Sequence, residues 1–253
     1  ANTTAIRVLI DHHLHPPLDE YTLHFSDTHA CSTSYIVYQL ITALAGSEAL
    51  TKAMAESLYV GIMTDTGNFA YSNLDADLFR AVAALIDRGI SVPYIYSAVY
   101  NNFSEGRMRL MGYMLNDKMK LLWKHGAAYM WLTEEEMRRF NFKQGDSEGF
   151  VNYPLSIRGI SLSAMFTQTQ HEIRVSLRSR GDVDVNVFAR RYFGGGGHRN
   201  AAGGKSFVSM EETIMHFERS VAEYFGELPP TGAGELDPKS ATEEPTAVTT
   251  PKP

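Results

Sequence analysis

The feature that most constrains the fold is a short apolar run in the stretch IRVLIDHH, close to the start of the chain. Val8–Ile10 lack the apolar–polar alternation of a half-exposed strand, a pattern typical of a short strand covered on both faces in a parallel sheet. Ligands of open parallel sheets gather beyond the carboxyl ends of the strands, where Asp11–His13 would lie. Taken alone, such a triplet is usually an ordinary polar strand end, so its meaning depends on the rest of the chain.

Length and composition describe a globular protein with two domains. The 253 residues suffice for two ordinary cores, and 44% hydrophobic and 21% charged residues are typical of soluble chains. The net charge of -6 argues against a protein that coats long nucleic acids, but a few arginines or metal ions could still hold a small phosphorylated substrate. A single cysteine, Cys31, and the lack of a signal peptide or a long apolar segment predict a cytoplasmic protein without membrane association.

Helical periodicity dominates the first part of the chain. Caps and apolar spacing predict three helices: one begins after Ser32–Ser34 and ends at Gly46, one stops at Gly67, and one runs between Asp75 and Gly89. A further helical stretch has a polar break near residues 101–106, which we interpret as an interdomain hinge.

From Met119 onward the pattern favours a mixed sheet. Two β-hairpins are predicted, with turns at His125–Gly126 and Gln170–His171, together with a capped helix at TEEEMRRF and a closing helix at MEETIMHFERSVAEYF. Residues 229–253 are rich in Pro, Thr, Gly, Ala and Glu. Because such a segment cannot bury enough apolar surface to fold, we predict a disordered tail there.

The stretch HEIRVSLRSRG alternates strictly between two faces of a predicted strand. Its apolar residues, Ile173, Val175 and Leu177, must pack on a core. Its other face offers guanidinium groups suited to bidentate capture of phosphate oxygens, although a solvated face with ordinary surface arginines would show the same pattern. The residues of this second face are Arg174, Ser176, Arg178 and Arg180.

The segment YFGGGGHRNAAGG contains four consecutive glycines, Gly194–Gly197. Such a run costs backbone entropy and adds no packing, so a purely structural loop would seldom keep all four. Glycines let backbone N–H groups approach a ligand closely, as in an anion-binding nest, and His198 and Arg199 follow directly. A flexible tight turn is the alternative. The run lacks the Gly-Lys-Ser/Thr of a P-loop and the setting of a G-x-G-x-x-G fingerprint, which disfavours those nucleotide-binding modes.

The stretch GIMTDTGNF places Asp65 after an apolar segment. Asp-Thr-Gly also occurs in aspartic proteases, but those enzymes need two such carboxylates and this chain has one copy, so we exclude that class. Asp65 could be a simple turn or helix cap. Beside His12, it could instead be a hard oxygen ligand for Mn²⁺ or another first-row metal.

Taken together and in this order, the motifs DHH, GIMTDTGNF, SLRSRG and FGGGGHRNAAGG resemble the DHH phosphoesterase superfamily, specifically its oligoribonuclease and phosphoadenosine-phosphate phosphatase branch. The resemblance covers about Ile6 to Phe225 and implies an α/β fold with two domains and a cleft between them. Residues 1–100 would form the C-terminal part of a parallel-sheet DHH domain with flanking helices. Residues 101–118 would form a linker helix, and residues 119–228 a smaller, mixed-sheet α/β DHH-associated domain.

The resemblance also implies roles for individual residues. His12 and Asp65 would ligate one of two Mn²⁺ ions and should lie close together, His13 would contact the substrate phosphate, and Asp11 would support the site. The reaction would be an in-line attack on phosphorus, with the metals stabilising the attacking and leaving oxygens. The DHH-associated domain would hold the substrate from its cleft face, through Arg178, Ser176, Gly195, Gly196, Gly197, His198 and Arg199.

The chain departs from the family pattern at its start. Family members begin well upstream, with a His-x-x-x-Asp-x-Asp motif and a further bridging aspartate, whereas this sequence starts at Ala1 without an initiator methionine. We interpret it as the downstream part of a longer protein and expect its metal site to be half built. The 253-residue chain alone should therefore be inactive and should expose the apolar flank of IRVLI.

The leading functional hypothesis is a Mn²⁺-dependent phosphoesterase that acts on very short RNA (nanoRNA) and on 3′,5′-bisphosphate nucleotides such as pAp. Such an enzyme could also form a homodimer. The alternatives are hydrolysis of cyclic or linear dinucleotides and a non-catalytic nucleotide- or RNA-binding module. RecJ-type action on long single strands and family II pyrophosphatase activity are disfavoured. Metal-dependent turnover would separate an enzyme from a binding module.

Overall fold

The computed structural model describes residues 5–13, 16, 18–71 and 73–227. They form two units, which divide between Met108 and Arg109, and each unit has its own sheet. The predicted tail at 229–253 lies outside the described residues, and the predicted domain limits remain predictions. Among the described residues, no helix is both long and apolar enough to span a membrane.

The first unit combines a small parallel sheet with several helices. Its elements are β1 (Val8–Asp11), β2 (Leu23–Ser26), α1 (Thr33–Ala45), α2 (Lys52–Asp65), α3 (Ala76–Ile86) and α4 (Val92–Tyr100), with 3-10 turns at Leu18–Glu20 and Ser47–Ala49. β1 and β2 pair in parallel, with Asp11 opposite Ser26. The predicted parallel arrangement is therefore confirmed, although the sequence pattern did not identify β2.

The helix ends lie where the sequence predicted them. The Ser32 side chain accepts the Tyr35 N–H at the start of α1, and the Asp75 side chain accepts the Leu78 N–H at the start of α3. Each such cap contributes about 1 kcal/mol. Gly46 ends α1 with a φ of 79°, a conformation that other residues adopt with strain. The core between the helices includes fully buried side chains of Ile62, Met63, Leu78 and Leu85.

β1 is not covered on both faces, which corrects one expectation. Ile6 is 70% exposed and Val8 is 46% exposed, and in β2 the side chains of Leu23 and Phe25 are 52% and 43% exposed. The described part of this sheet contains only two strands, so no further layer covers these apolar side chains. The expected exposure of the IRVLI flank is confirmed.

The second unit is built on a six-stranded mixed sheet with the strand order β3-β4-β5-β6-β8-β7. The strands are β3 (Lys120–Leu122), β4 (Ala127–Leu132), β5 (Leu162–Gln168), β6 (Ile173–Ser179), β7 (Gly196–His198) and β8 (Ala201–Ser206). β4 and β5 are parallel and the other neighbours are antiparallel. Both predicted hairpins, β3–β4 and β5–β6, are confirmed.

Helices and short helical turns complete the second unit. They are α5 (Glu105–Tyr113), which contains the division between the units, α6 (Glu134–Arg139), α7 (Val185–Phe193) and α8 (Met210–Glu227), with a π turn at Met114–Lys118 and 3-10 turns at Trp123–His125 and Phe150–Ser156. The polar break predicted near residues 101–106 corresponds to the gap between α4 and α5. Its role as a hinge remains a prediction.

Both faces of the large sheet contribute to cores. One face, which includes Phe166 and Leu177, belongs to the same apolar cluster as residues of α7 and α8. The other face carries Met130 and Met165 in a second cluster with Phe150. Because Met165 is the cross-strand partner of Ser176, the polar face of β6 adjoins this second core and is not a fully solvated surface.

Candidate metal and phosphate sites

The Asp-His-His triplet lies at the carboxyl end of β1, as predicted. Asp11 ends the strand, and its Oδ1 accepts the backbone N–H of His12 at 2.9 Å and Nδ1 of His13 at 2.6 Å. Burial raises the pKa of Asp11, but the hydrogen bonds from His13 and His12 together outweigh this effect and hold the pKa below its ordinary value. Asp11 is therefore an ionised carboxylate that orients both histidines.

The structure brings His12 and Asp65 together. Asp65 is the last residue of α2, and its Oδ2 lies 3.7 Å from Nε2 of His12. The His12 side chain is 13% exposed and that of Asp65 is 46% exposed. The prediction that these two side chains lie close together is confirmed.

Hydrogen bonding of His12 makes its Nε2 an acceptor. Nδ1 lies 3.3 Å from the carbonyl oxygen of Ala30, and because that oxygen can only accept, Nδ1 carries the proton of the neutral ring. In that tautomer the lone pair of Nε2 faces the carboxylate of Asp65, and a positive charge between the two atoms, from a bound metal ion or a proton, makes their approach favourable. Metal-ligating histidines show the same arrangement, with the second ring N–H donated to a backbone carbonyl.

The separation of the two atoms also fits one ion. Nitrogen and oxygen ligands lie about 2.0–2.2 Å from Zn²⁺ or Mg²⁺, so two ligand atoms of one such ion are at most about 4.4 Å apart. The 3.7 Å between His12 Nε2 and Asp65 Oδ2 is within this limit. Imidazole and carboxylate together suit a first-row divalent metal, so the residues present fit the implied ion.

A left-handed turn follows Asp65 and fixes the end of α2. Gly67–Phe69 have φ values of 55°, 57° and 61°, and left-handed conformations of residues other than glycine are costly. The fully buried Thr66 holds the turn, because its Oγ1 donates to the Ile62 carbonyl at 2.7 Å and accepts the Phe69 N–H at 3.0 Å. Sequence reasoning treated Thr66 only as part of a motif and missed this role, although a Thr-Gly-Asn run after a helix is a turn signal.

We expect Thr66→Val to lower the free energy of unfolding by about 1–3 kcal/mol, because the partly buried N–H of Phe69 loses its acceptor. It should also weaken Mn²⁺ binding, since Asp65 directly precedes the turn. Urea unfolding and a Mn²⁺ titration followed by electron paramagnetic resonance measure the two effects. Thr66→Ser keeps the hydroxyl and serves as the control. Equal stability of the Val and Ser variants would contradict the assigned role.

In the second unit, β6 alternates as predicted, with Ile173, Val175 and Leu177 buried. Arg178 on the other face is largely buried, and burial lowers the pKa of its guanidinium. The guanidinium donates to the carbonyl of Leu177 at 2.9 Å, and no carboxylate among the described residues lies within ion-pair distance of it. Because a buried charge without a partner is costly, such an arginine suits an anionic ligand.

Two amides of the glycine run have hydrogen-bond partners within the second unit. Gly196–His198 form β7 at the edge of the sheet. The N–H of Gly195 donates to the Ala189 carbonyl at 3.2 Å, and the N–H of Gly197 donates to Oδ1 of Asn186 at 3.0 Å. These two amides hold the fold. The assignment of these glycines to substrate binding remains a prediction.

Close packing against neighbouring backbone explains why glycine is required at two of these positions. A Cβ atom at Gly195 would overlap the carbonyl oxygen of Gly203, and one at Gly197 would lie 2.5 Å from the carbonyl oxygen of Ala201. At Gly196 the nearest atoms to such a Cβ are the ends of polar side chains, 3.3 Å or more away. Packing therefore explains two of the four glycines, Gly195 and Gly197.

The register of the sheet brings several predicted substrate residues into two rows: Ala201 pairs with both Arg178 and His198, and Gly203 pairs with both Ser176 and Gly196. Arg199 donates to Oδ1 of the exposed Asp182 at 3.1 Å, a surface pair of the kind that contributes little stability. Ser176 lines an open cavity of about 470 Å³, together with Gln168. His198 lies half-buried in β7. The substrate-binding roles of these residues remain predictions.

Two comparisons with sequences place the chain in a family. A family model of the DHHA1 domain matches residues 126–226. The chain is 31% identical over 210 residues to the bifunctional oligoribonuclease and PAP phosphatase NrnA of Bacillus subtilis, a match that covers 80% of this chain and 63% of that protein. It is 25% identical over 224 residues to the cyclic-di-AMP phosphodiesterase GdpP of Geobacillus thermodenitrificans, covering 86% of this chain and 32% of that protein.

A solved structure shows the same fold. The exopolyphosphatase-related protein from Bacteroides fragilis superposes with a TM-score of 0.83 at 39% identity, over 88% of this chain and 65% of that one. The chain thus spans less than two thirds of the length of each of these three proteins. The family model, the relatives and the fold agree with the DHH, DTG and glycine motifs, and the chain belongs to the DHH phosphoesterase superfamily, in the group that carries a DHHA1 domain.

Proposed function

We propose that this chain is part of a metal-dependent phosphoesterase that hydrolyses short oligoribonucleotides and 3′,5′-bisphosphate nucleotides such as pAp to mononucleotides. The observation that supports it most is the approach of two acceptors, His12 Nε2 and Asp65 Oδ2, to 3.7 Å beside a strand end. The name of the Bacillus subtilis relative, an oligoribonuclease and PAP phosphatase, supplies the substrate class.

The proposed metal is Mn²⁺, with two ions in the whole site. His12 and Asp65 would hold one of them, through the imidazole nitrogen and the carboxylate oxygen that face each other. When bound, the metal supplies Lewis-acid stabilisation of the negative charge on the phosphoryl oxygens.

The residues of the chain itself bind and orient the substrate. Oδ1 of Asp11 accepts Nδ1–H of His13 at 2.6 Å and holds the ring in one orientation, and His13 would contact the substrate phosphate. Arg178 would bind a phosphate through two parallel N–H donors, which gives its buried charge a partner. His198 and Arg199 would add further contacts to the phosphorylated substrate.

We expect Arg178→Ala to raise the KM for pAp about 10- to 100-fold with a smaller change in kcat, because hydrogen bonds to charged groups contribute about 1.5–3 kcal/mol. Both constants are measured in the full-length protein by following phosphate release from pAp in the presence of Mn²⁺. Arg158→Ala, which removes an exposed arginine of the same unit, is the matched control. Equally small effects of the two substitutions would argue against a substrate contact at Arg178.

Hydrolysis of cyclic or linear dinucleotides is the second candidate, favoured by the similarity to a cyclic-di-AMP phosphodiesterase. Parallel assays with pAp, a linear dinucleotide and cyclic di-AMP rank these substrates. Tight nucleotide binding without turnover of any of them would instead identify a non-catalytic binding module.

A further inference from the structure

Ser163 lies on β5 directly opposite Arg178 on β6. Opposed residues of an antiparallel pair project from the same face, with Cβ atoms about 4.5–5.5 Å apart. The register continues on both sides, with Ala128 of β4 next to Ser163 and Ala201 of β8 next to Arg178. Across four strands, one hydroxyl and one guanidinium therefore lie side by side between two alanines.

The hydroxyl of Ser163 is fully buried and has no hydrogen-bond partner among the described residues. Other buried serines of this unit are bonded: Ser179 donates to the Val183 carbonyl at 2.6 Å, and Ser220 donates to the His216 carbonyl at 2.7 Å. A buried hydroxyl without a partner lowers stability relative to alanine, which would fill the same space. The fold alone therefore gives no reason for a serine at position 163.

Most N–H donors of the Arg178 guanidinium also have no acceptor among the described residues. It has five N–H donors, and the described residues provide one acceptor for them, the carbonyl oxygen of Leu177. A phosphate accepts two parallel N–H groups from one edge of the planar guanidinium. The guanidinium recognises the phosphate most selectively when its remaining N–H donors are also hydrogen-bonded. Ser163 is the neighbouring side chain in register that can accept one of them.

We propose that Ser163 is a positioning residue for Arg178. When a nucleotide phosphate binds, the Ser163 hydroxyl accepts an N–H from the guanidinium and holds the planar fork in the orientation that the phosphate requires. The inference rests on the proposed function, because it takes a phosphorylated nucleotide as the ligand of Arg178.

Ser163→Ala separates this role from a structural one, because the two roles predict opposite changes in stability. Without ligand, the melting temperature of the variant should equal or exceed that of the parent protein, since an unsatisfied hydroxyl is removed. The Kd for pAp, measured by isothermal titration calorimetry, should rise about 10-fold. Ser163→Thr keeps a hydroxyl on a strand-favouring side chain and should restore most of the affinity.

Two further variants make the test specific. Ser220→Ala removes a bonded, buried hydroxyl on α8, so it should lower the melting temperature and leave the Kd unchanged. In an Arg178→Ala background, Ser163→Ala should weaken pAp binding no further, because its effect acts through the guanidinium.

The outcomes that would overturn the inference are distinct from those that overturn the proposed function. An unchanged Kd for Ser163→Ala, or a loss of affinity that persists without Arg178, would refute the positioning role while the proposed function stands. Failure of the unsubstituted protein to bind pAp with or without Mn²⁺ would refute the proposed function and, with it, the inference.

Discussion

Replacing His12 by alanine is expected to abolish hydrolysis of pAp and of short RNA, with a loss in kcat of at least about 100-fold. The substitution removes the nitrogen that faces Asp65 at 3.7 Å and leaves the carboxylate without the second donor of the proposed ion. The carbonyl of Ala30 only orients the imidazole of His12, whereas Nε2 of the ring would itself bind the metal. Loss of the ring should therefore lower activity more than loss of that hydrogen bond would.

Metal binding and turnover should be measured on the same preparations. A Mn²⁺ titration followed by electron paramagnetic resonance should show weaker binding in the His12→Ala variant, and added Mn²⁺ should restore little activity. His24→Ala is the matched control, since His24 is an exposed histidine on the neighbouring strand β2. If turnover and Mn²⁺ affinity of the His12→Ala variant equal those of this control, His12 is not a ligand of the metal.

Replacing Glu136 by glutamine is expected to cost about 3–5 kcal/mol of the free energy of unfolding, because it breaks a buried ion pair. Oε1 of Glu136 accepts Nζ of Lys118 at 2.5 Å and the hydroxyl of Tyr113 at 2.6 Å, and Oε2 accepts the Thr133 N–H in the capping box of α6. Lys118 is only 8% exposed, with its Nζ over the ring of Trp131, so its charge would be left without a carboxylate in the interior.

The same network predicts a pH dependence. Burial raises the pKa of Glu136, but hydrogen bonds from Lys118 and Tyr113 outweigh it and lower the pKa below its ordinary 4.5. The carboxylate therefore contributes stability that is complete above about pH 4.5 and is lost as the pH falls through the lower folded-state pKa. In return, the carboxylate raises the pKa of Tyr113 to about 12, so the contribution of that phenol is lost only as the pH rises toward that value.

Urea unfolding at several pH values measures these effects. The stability difference between Glu136→Gln and the parent protein should shrink as the pH falls from 4.5 through the lower folded-state pKa, where the parent carboxylate also becomes neutral. Adding Lys118→Met should recover part of the loss, because it removes the unpaired charge. Glu135→Gln, one position earlier on the exposed side of α6, should change stability by less than about 0.5 kcal/mol. A Glu136→Gln variant as stable as this control would contradict the buried-pair account.

The sequence predicted most of the helices because their ends depend on local residues. Ser32 and Asp75 cap the first turns that follow them, and Gly46 takes the left-handed conformation just past α1. β2 could not be predicted in the same way, because Leu23–Ser26 is a four-residue strand whose stability depends on pairing with β1.

The candidate site was only partly predictable for the same physical reason. The proximity of His12 and Asp65 followed from the resemblance to a family, since no local rule joins a strand end to the end of a distant helix. The proton position on His12 depends on the carbonyl of Ala30, and the orphan hydroxyl of Ser163 depends on strand register. Each of these features depends on residues that are distant in the sequence, and the spacing of residues along the chain does not predict them.

The packing of the glycine run has a consequence for genetics. Substitutions at Gly195 and Gly197 place new atoms against the backbone of Gly203 and Ala201, so inactive alleles at these positions would reflect misfolded protein and low abundance. Sequence conservation there would record the same steric demand, whatever the substrate. Gly196 differs, because a methyl group at that position would meet no backbone atom: its nearest neighbours are Oδ1 of Asn186 at 3.3 Å and the guanidinium of Arg190 at 3.6 Å. Among Gly195–Gly197, Gly196 is therefore the position where an inactive but abundant allele would report on the chemistry of the site.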